Sequence, residues 1–195
     1  MIARFRKTAF RKTALLAALP FALACSGAGA QSYGDPASGL SVSPPKPFVG
    51  KAGKPHPQFD VTIDIDSTTG TPKAVSADGG LCTLGFKPAH QNAALSREVI
   101  NEQMAKPEWQ KLYRDMFETI GTVSDLQLFE HQGFTGIELT VTPKAGPNAE
   151  NVRMFTSTIE TAKGRTALIC VTDKAGLAAA LPQFKALRAT IHAPE

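Results

Sequence analysis

An α+β fold, with helices laid on a mainly antiparallel sheet, is what this sequence predicts, and three observations predict it. The first is an unbroken apolar run, Thr166-Ala-Leu-Ile-Cys-Val171, which has no polar alternation and so suits a strand in the middle of a sheet covered on both faces. The second is a helical stripe, Trp109, Leu112, Tyr113, Met116, Phe117 and Ile120, spaced i, i+3, i+4, i+7, i+8 and i+11, the pattern of a helix that packs one face on a core. The third is element order. Strands come first, then helices, then a run of strands joined by short turns, then a last helix, instead of the regular alternation that builds parallel sheets.

In chain order, residues 1–30 have the three parts of a secretory signal: Arg4, Arg6, Lys7, Arg11 and Lys12, then an apolar Ala14–Ala24, then small residues ending at Ala28-Gly29-Ala30. Cleavage is expected after Ala30. The apolar run is far shorter than the roughly 20 residues that cross a bilayer. An alternative is a lipoprotein signal with Cys25 acylated, although Leu23 lies one position from where a lipobox places its leucine. Of the 21 Lys and Arg, five lie before Gln31, leaving 16 against 17 Asp and Glu, a net −1. The mature chain therefore lacks the basic surface that drives phosphate-backbone binding, and nucleic acid is excluded as an expected partner. These features predict an exported, soluble periplasmic protein, with membrane contact only if Cys25 is lipidated.

Residues 31–58 carry Pro36, Pro44, Pro45, Pro47, Pro55 and Pro57 and read as an extended leader, with a short edge strand at residues 39–43 able to join the domain at 59–195. Phe59–Asp66 alternates strictly, Phe59, Val61, Ile63 and Ile65 against Asp60, Thr62, Asp64 and Asp66, and predicts a half-buried strand. A second strand, Leu81–Phe86, follows the Asp78-Gly-Gly80 turn. Ser96 is placed to cap a helix over Arg97–Ala105 with Val99, Ile100 and Met104 inward. Pro107 then suits the first position of the Trp109 helix, which Gly121 ends. Strands follow at about Val123–His131, Phe134–Val141 and Val152–Thr161, the first two joined at Gln132-Gly133. After the Thr166–Val171 strand, Asp173 is positioned to cap a segment in which Leu177, Leu181, Phe184, Leu187 and Ile191 recur at helical spacing, with a start or kink at Pro182.

Removal of the signal leaves Cys82 and Cys170. In an oxidising compartment they form either a disulfide or, each in an apolar strand, two buried thiols; no Cys-x-x-Cys arrangement marks them as redox-active.

Two stretches carry a resemblance. Tyr33–Pro45, with Tyr-x-Asp followed by Gly-Leu-Ser-Val-x-x-Pro, and Gly164-Arg-Thr-Ala-Leu-Ile-Cys-Val-Thr172 followed by Leu181-x-x-Phe184 and Ile191, resemble the PsbP, Mog-type and DcrB-like periplasmic or lumenal proteins. Phe48 stands where many members have a tryptophan. The resemblance implies a single-domain α/β/α sandwich with flanking helices at about 96–120 and 175–191. It also implies a non-enzymatic binding or assembly role, and supplies no catalytic set.

The chemistry-bearing residues agree with that. Asp64-x-Asp66-x-x-x-Gly70 fails as a calcium loop, because its glycine is one position late and Val75 stands where a bidentate glutamate is required. Asp60, Asp64 and Asp66 remain a candidate cation site, against the reading of a solvated strand face. His56, His90, His131 and His192 have no ligand spacing. No serine lies in a Gly-x-Ser-x-Gly elbow, and no glycine-rich loop precedes a helix. Trp109, Tyr113 and Phe117 form an aromatic row that serves either core packing or partner binding. The expectation is a binding or assembly factor without cofactor, acting on an unknown protein or small molecule. A small hydrolase with a site assembled across the sheet, and a lipid-anchored envelope protein, are the alternatives.

Overall fold

The computed structural model describes residues 31–195; the signal segment and Cys25 lie outside the described residues. The order is β1 (Tyr33–Asp35), β2 (Leu40–Val42), β3 (Phe48–Ala52), β4 (Val61–Ser67), β5 (Cys82–Pro88), α1 (Arg97–Ala105), α2 (Pro107–Glu118), β6 (Gly121–His131), β7 (Phe134–Pro143), β8 (Val152–Glu160), β9 (Gly164–Asp173), α3 (Leu177–Arg188) and β10 (Ile191–His192). Seven strands form one antiparallel sheet in the order β3-β4-β5-β9-β8-β7-β6. The apolar run falls on β9, the fourth of the seven, where both faces are covered as its lack of alternation requires.

Strand alternation sorts β9 between two cores. Leu168 and Cys170 join Leu84, Phe86, Phe155, Phe184 and Leu187 beneath α3. On the opposite face α1 and α2 lie over Ile137, Leu139 and Val141 of β7, burying Ile100, Met104 and Tyr113. The molecule is thus an α+β sandwich, one helix layer on each side of the sheet. Ser96 caps α1, its hydroxyl accepting from the Val99 amide, and Pro107 opens α2. Gln132 and Gly133 have φ of 53° and 77°, the left-handed pair that a two-residue hairpin turn requires between β6 and β7.

Several elements differ from the sequence reading. Residues 31–58 are extended, but they do not stand apart from the domain. Leu40, Val42 and Phe48 belong to the α3-side core, β3 forms the outer strand of the main sheet, and β1, β2 and β10 form a small second sheet. Ile191 pairs with Val42 in that sheet instead of ending α3, which stops at Arg188. Pro182 lies inside α3 and neither begins it nor falls on its buried face: Pro182 and Ala178, whose carbonyl loses its partner, are both exposed, where the lost bond costs least. Asp173 accepts from the Gly176 amide at 2.6 Å and so closes the turn before the helix, whose N-cap is Gly176 itself.

Cys82 and Cys170 are directly opposite on β5 and β9 and are joined in a disulfide. On β7 the inward Glu138 is buried beneath α3, where Lys185 approaches at 2.7 Å and Arg188 and Gln127 complete the carboxylate's partners. Arg188 also lies over the Phe129 ring.

Candidate functional site

The two helix layers do not cover the sheet equally. Seven strands about 4.8 Å apart make a sheet roughly 29 Å wide, whereas two helices of about 10 Å cover roughly 20 Å. With α1 on β7 and α2 beside β6, the shortfall falls over β8, β9 and β5. There a cleft of about 790 Å³ runs between α2 and the segment around Phe59.

Alternation decides what faces this cleft. Thr156 of β8, Ala167 and Ile169 of β9 and Gly85 of β5 lie on the α2 side, with Ile169 opposite Thr156 and Ala167 opposite Gly85. Gly85 has a specific reason to be glycine: the Phe59 ring lies against it, and a Cβ there would come within 2.3 Å of that ring. Phe59 thereby forms one wall. The other comes from α2. Tyr113 is buried, with its phenol hydrogen-bonded to Thr158; Phe117 packs edge-on against it. The next row, Leu112, Met116 and Ile120, was expected to point inward and is exposed instead. Val99 on α1 differs in the same way. The stripe on α2 is wider than the sheet it meets, and the surplus Met116 and Ile120 line the cleft together with Met154.

One end of the cleft is charged. Lys87, Arg165 and Glu160 occupy a single cross-strand row of β5, β9 and β8. Arg165 Nε donates to Glu160 at 2.5 Å, and Asn92 Nδ2 donates to the other oxygen. Lys87 Nζ meets Asp60 at 2.5 Å beside the rim. A smaller hollow, lined by Trp109, Ile100 and Met104, shares the Glu160–Arg165 pair with the main cleft. Two polar atoms there and on the cleft floor have no hydrogen-bond partner among the described residues, Trp109 Nε1 and Thr156 Oγ1. Burial pushes the pKa of the Tyr113 phenol above its ordinary value, with the hydrogen bond to Thr158 opposing.

The sequence-chosen residues divide. Trp109, Tyr113 and Phe117 do fall on one side of α2: Tyr113 is buried in the core and also borders the main cleft with Phe117, whereas Trp109 borders the smaller hollow. Asp60, Asp64 and Asp66 do not converge. Asp60 is engaged by Lys87, and Asp66 by Lys51 at 2.7 Å and by the Leu81 amide. No three potential metal ligands come together among the described residues. The histidines form no ligand set among the described residues: His56 packs tilted against Phe59, and His131 and His192 adjoin but are engaged by the Ile191 carbonyl and Gln132. No helix among the described residues is long and apolar enough to cross a membrane. Sequence reasoning missed Glu160 and Arg165, whose signal was a charge pair flanking a tight connection between two apolar strands.

Comparison with known proteins places this architecture. The solution structure of cyanobacterial PsbP from Synechocystis sp. PCC 6803 superposes with a TM-score of 0.51 at 14% identity, over 87% of this chain and 96% of that one. The fold is PsbP-like. No family model matches the sequence, and no curated protein matches it. At this identity the PsbP-like likeness concerns backbone architecture: the central sheet and the helix layers on its two faces.

Proposed function

We propose that the protein is exported to the periplasm and acts there as a non-catalytic binding or assembly factor, through the cleft between α2 and β9. The carrying observation is the uncovered row Met116 and Ile120 on the cleft wall, exposed at 45% and 55%. Apolar rows on a well-packed helix are normally covered, and a contiguous exception facing a cavity marks a binding surface. The polar groups around the cleft support binding over catalysis. Glu160 is held by Arg165, Lys87 by Asp60, Tyr113 by Thr158, and His56 accepts from the Gln58 amide while packing on Phe59, so these candidate acids and bases engage structural partners instead of a nucleophile. The PsbP-like fold is compatible with this role, and the wider kinship with Mog-type and DcrB-like proteins is part of the same reading.

Native mass spectrometry of the protein purified gently from its own envelope tests it. The wild type is expected to retain an added mass that the Met116→Glu, Ile120→Glu double variant loses. A bare wild-type mass, or an adduct that survives the double substitution, contradicts binding at this cleft.

A further inference from the structure

Resting on the cleft-binding reading above, we propose that the cleft takes a fatty acid, its alkyl chain along β9 and its carboxylate at Arg165. The cleft is polarised along its length. Its Lys, Arg and Glu lining residues, Lys87, Glu160 and Arg165, stand in one cross-strand row, His56 and Tyr113 sit on its walls, and Ile169, Met154, Phe117 and Ile120 line the other end. From Arg165 to Ile169 is four residue steps, roughly 14 Å of strand, an elongated apolar floor with charge at one end only.

The charged end has unused donors. Of the lining groups, two cations face one carboxylate, and Glu160 engages only the Nε of Arg165. Among the described residues the two terminal nitrogens of Arg165 make no hydrogen bond to protein. They offer the planar fork that grips a carboxylate through two bonds. Lys87, in the same row, is half exposed and paired with Asp60, so the unused donors of this end are those of Arg165.

The other end argues against a peptide. An extended chain brings a backbone donor and acceptor with every residue, and each must find a partner when buried. The floor strands β8 and β9 pair with each other and with β7 and β5, so no sheet edge opens into the cleft. Beyond the Tyr113–Thr158 pair, the floor offers one hydroxyl, that of Thr156. An alkyl chain asks for nothing there, and the flexible side chains of Met116 and Met154 suit chains of differing length.

Isothermal titration with laurate, kept below its micelle-forming concentration, tests the assignment against dodecanol and an uncharged hydrophobic peptide. One laurate is expected to bind per chain, with dodecanol at least tenfold weaker, as loss of a charge-assisted hydrogen bond implies. Arg165→Gln should bring laurate down to the level of dodecanol, and Met116→Glu, at an exposed position, should weaken both. The alcohol comparison uses only the wild type, so it stands even if Arg165→Gln fails to fold. Equal binding of laurate and dodecanol, or unchanged binding by Met116→Glu, overturns the proposal. Binding of the peptide without laurate overturns the fatty acid and leaves the cleft as a binding surface; failure of all three probes overturns both.

Discussion

Reducing the Cys82–Cys170 bond should remove a large share of this domain's stability. The two residues are 88 apart in sequence and both are buried. In the chain-entropy description, a cross-link over that span withholds roughly 15 cal/mol/K from the unfolded chain, or about 4.5 kcal/mol at 25 °C. The native side adds little, because β5 and β9 are already registered from Cys82 to Pro88 and from Gly164 to Cys170 by their own ladder. With a urea slope of about 2 kcal/mol/M, the midpoint should fall by roughly 2 M. Urea titrations followed by circular dichroism, with and without a phosphine reductant, measure this directly. Reduced wild type is the cleaner comparator, since alanine at both positions also removes core sulfur atoms. A midpoint shift below about 0.5 M with unchanged slope would refute the reasoning, because it would mean that the unfolded chain is not appreciably freed by cutting the link.

Three further outcomes follow from the same structure. Glu138→Leu strips the partner from Arg188, which lies mostly buried with its ionisation lowered by burial and upheld by Glu138; a loss of about 3 kcal/mol in urea unfolding is expected. Tyr113 has a folded-state pKa raised above its ordinary value of 10.0 by burial. The folded state therefore holds that proton more tightly, so the stability linked to it is complete below pH 10 and declines as pH rises beyond. Tyr113→Phe should lose about 1 to 3 kcal/mol at neutral pH through the orphaned Thr158 hydroxyl, and should show less alkaline decline than wild type in thermal scans from pH 9 to 11. Intact mass of protein from its native envelope should begin at Gln31; a mass beginning at an acylated Cys25 would replace the soluble reading with a lipid-anchored one.

The sequence made the centre of the sheet legible. Thr166–Val171 has no polar face to offer, so it had to be covered twice, and Ser96 and Pro107 mark helix starts through chemistry local to the chain. Long-range pairing was less readable. Phe48–Ala52 lies among prolines and carries little strand signal, yet it borders β4 because Phe48 contributes to the α3-side core. Ile191 keeps helical spacing but pairs with Val42, a contact that no local pattern encodes. The aromatic row of α2 marked its packed side, while the exposed apolar row is Leu112, Met116 and Ile120. Periodicity reports that a face is apolar, whereas the width of the surface it meets depends on how many strands the sheet has. The same limit hid Glu160 and Arg165, whose importance comes from the cleft beside them. For Asp60, Asp64 and Asp66, the lysines that neutralise two of them arrive from β3 and β5.

The claim that the cleft is the working surface can be read at single-residue level from the methionine methyl groups. Met116 and Met154 line the cleft, while Met104, on the buried face of α1, lies in the neighbouring core and borders only the smaller hollow. Methyl-labelled protein titrated with laurate should shift the Met116 and Met154 resonances together, to a common saturation point, with Met104 nearly still. Movement of Met104 alone, or no movement at any of the three, would contradict ligand binding in the cleft.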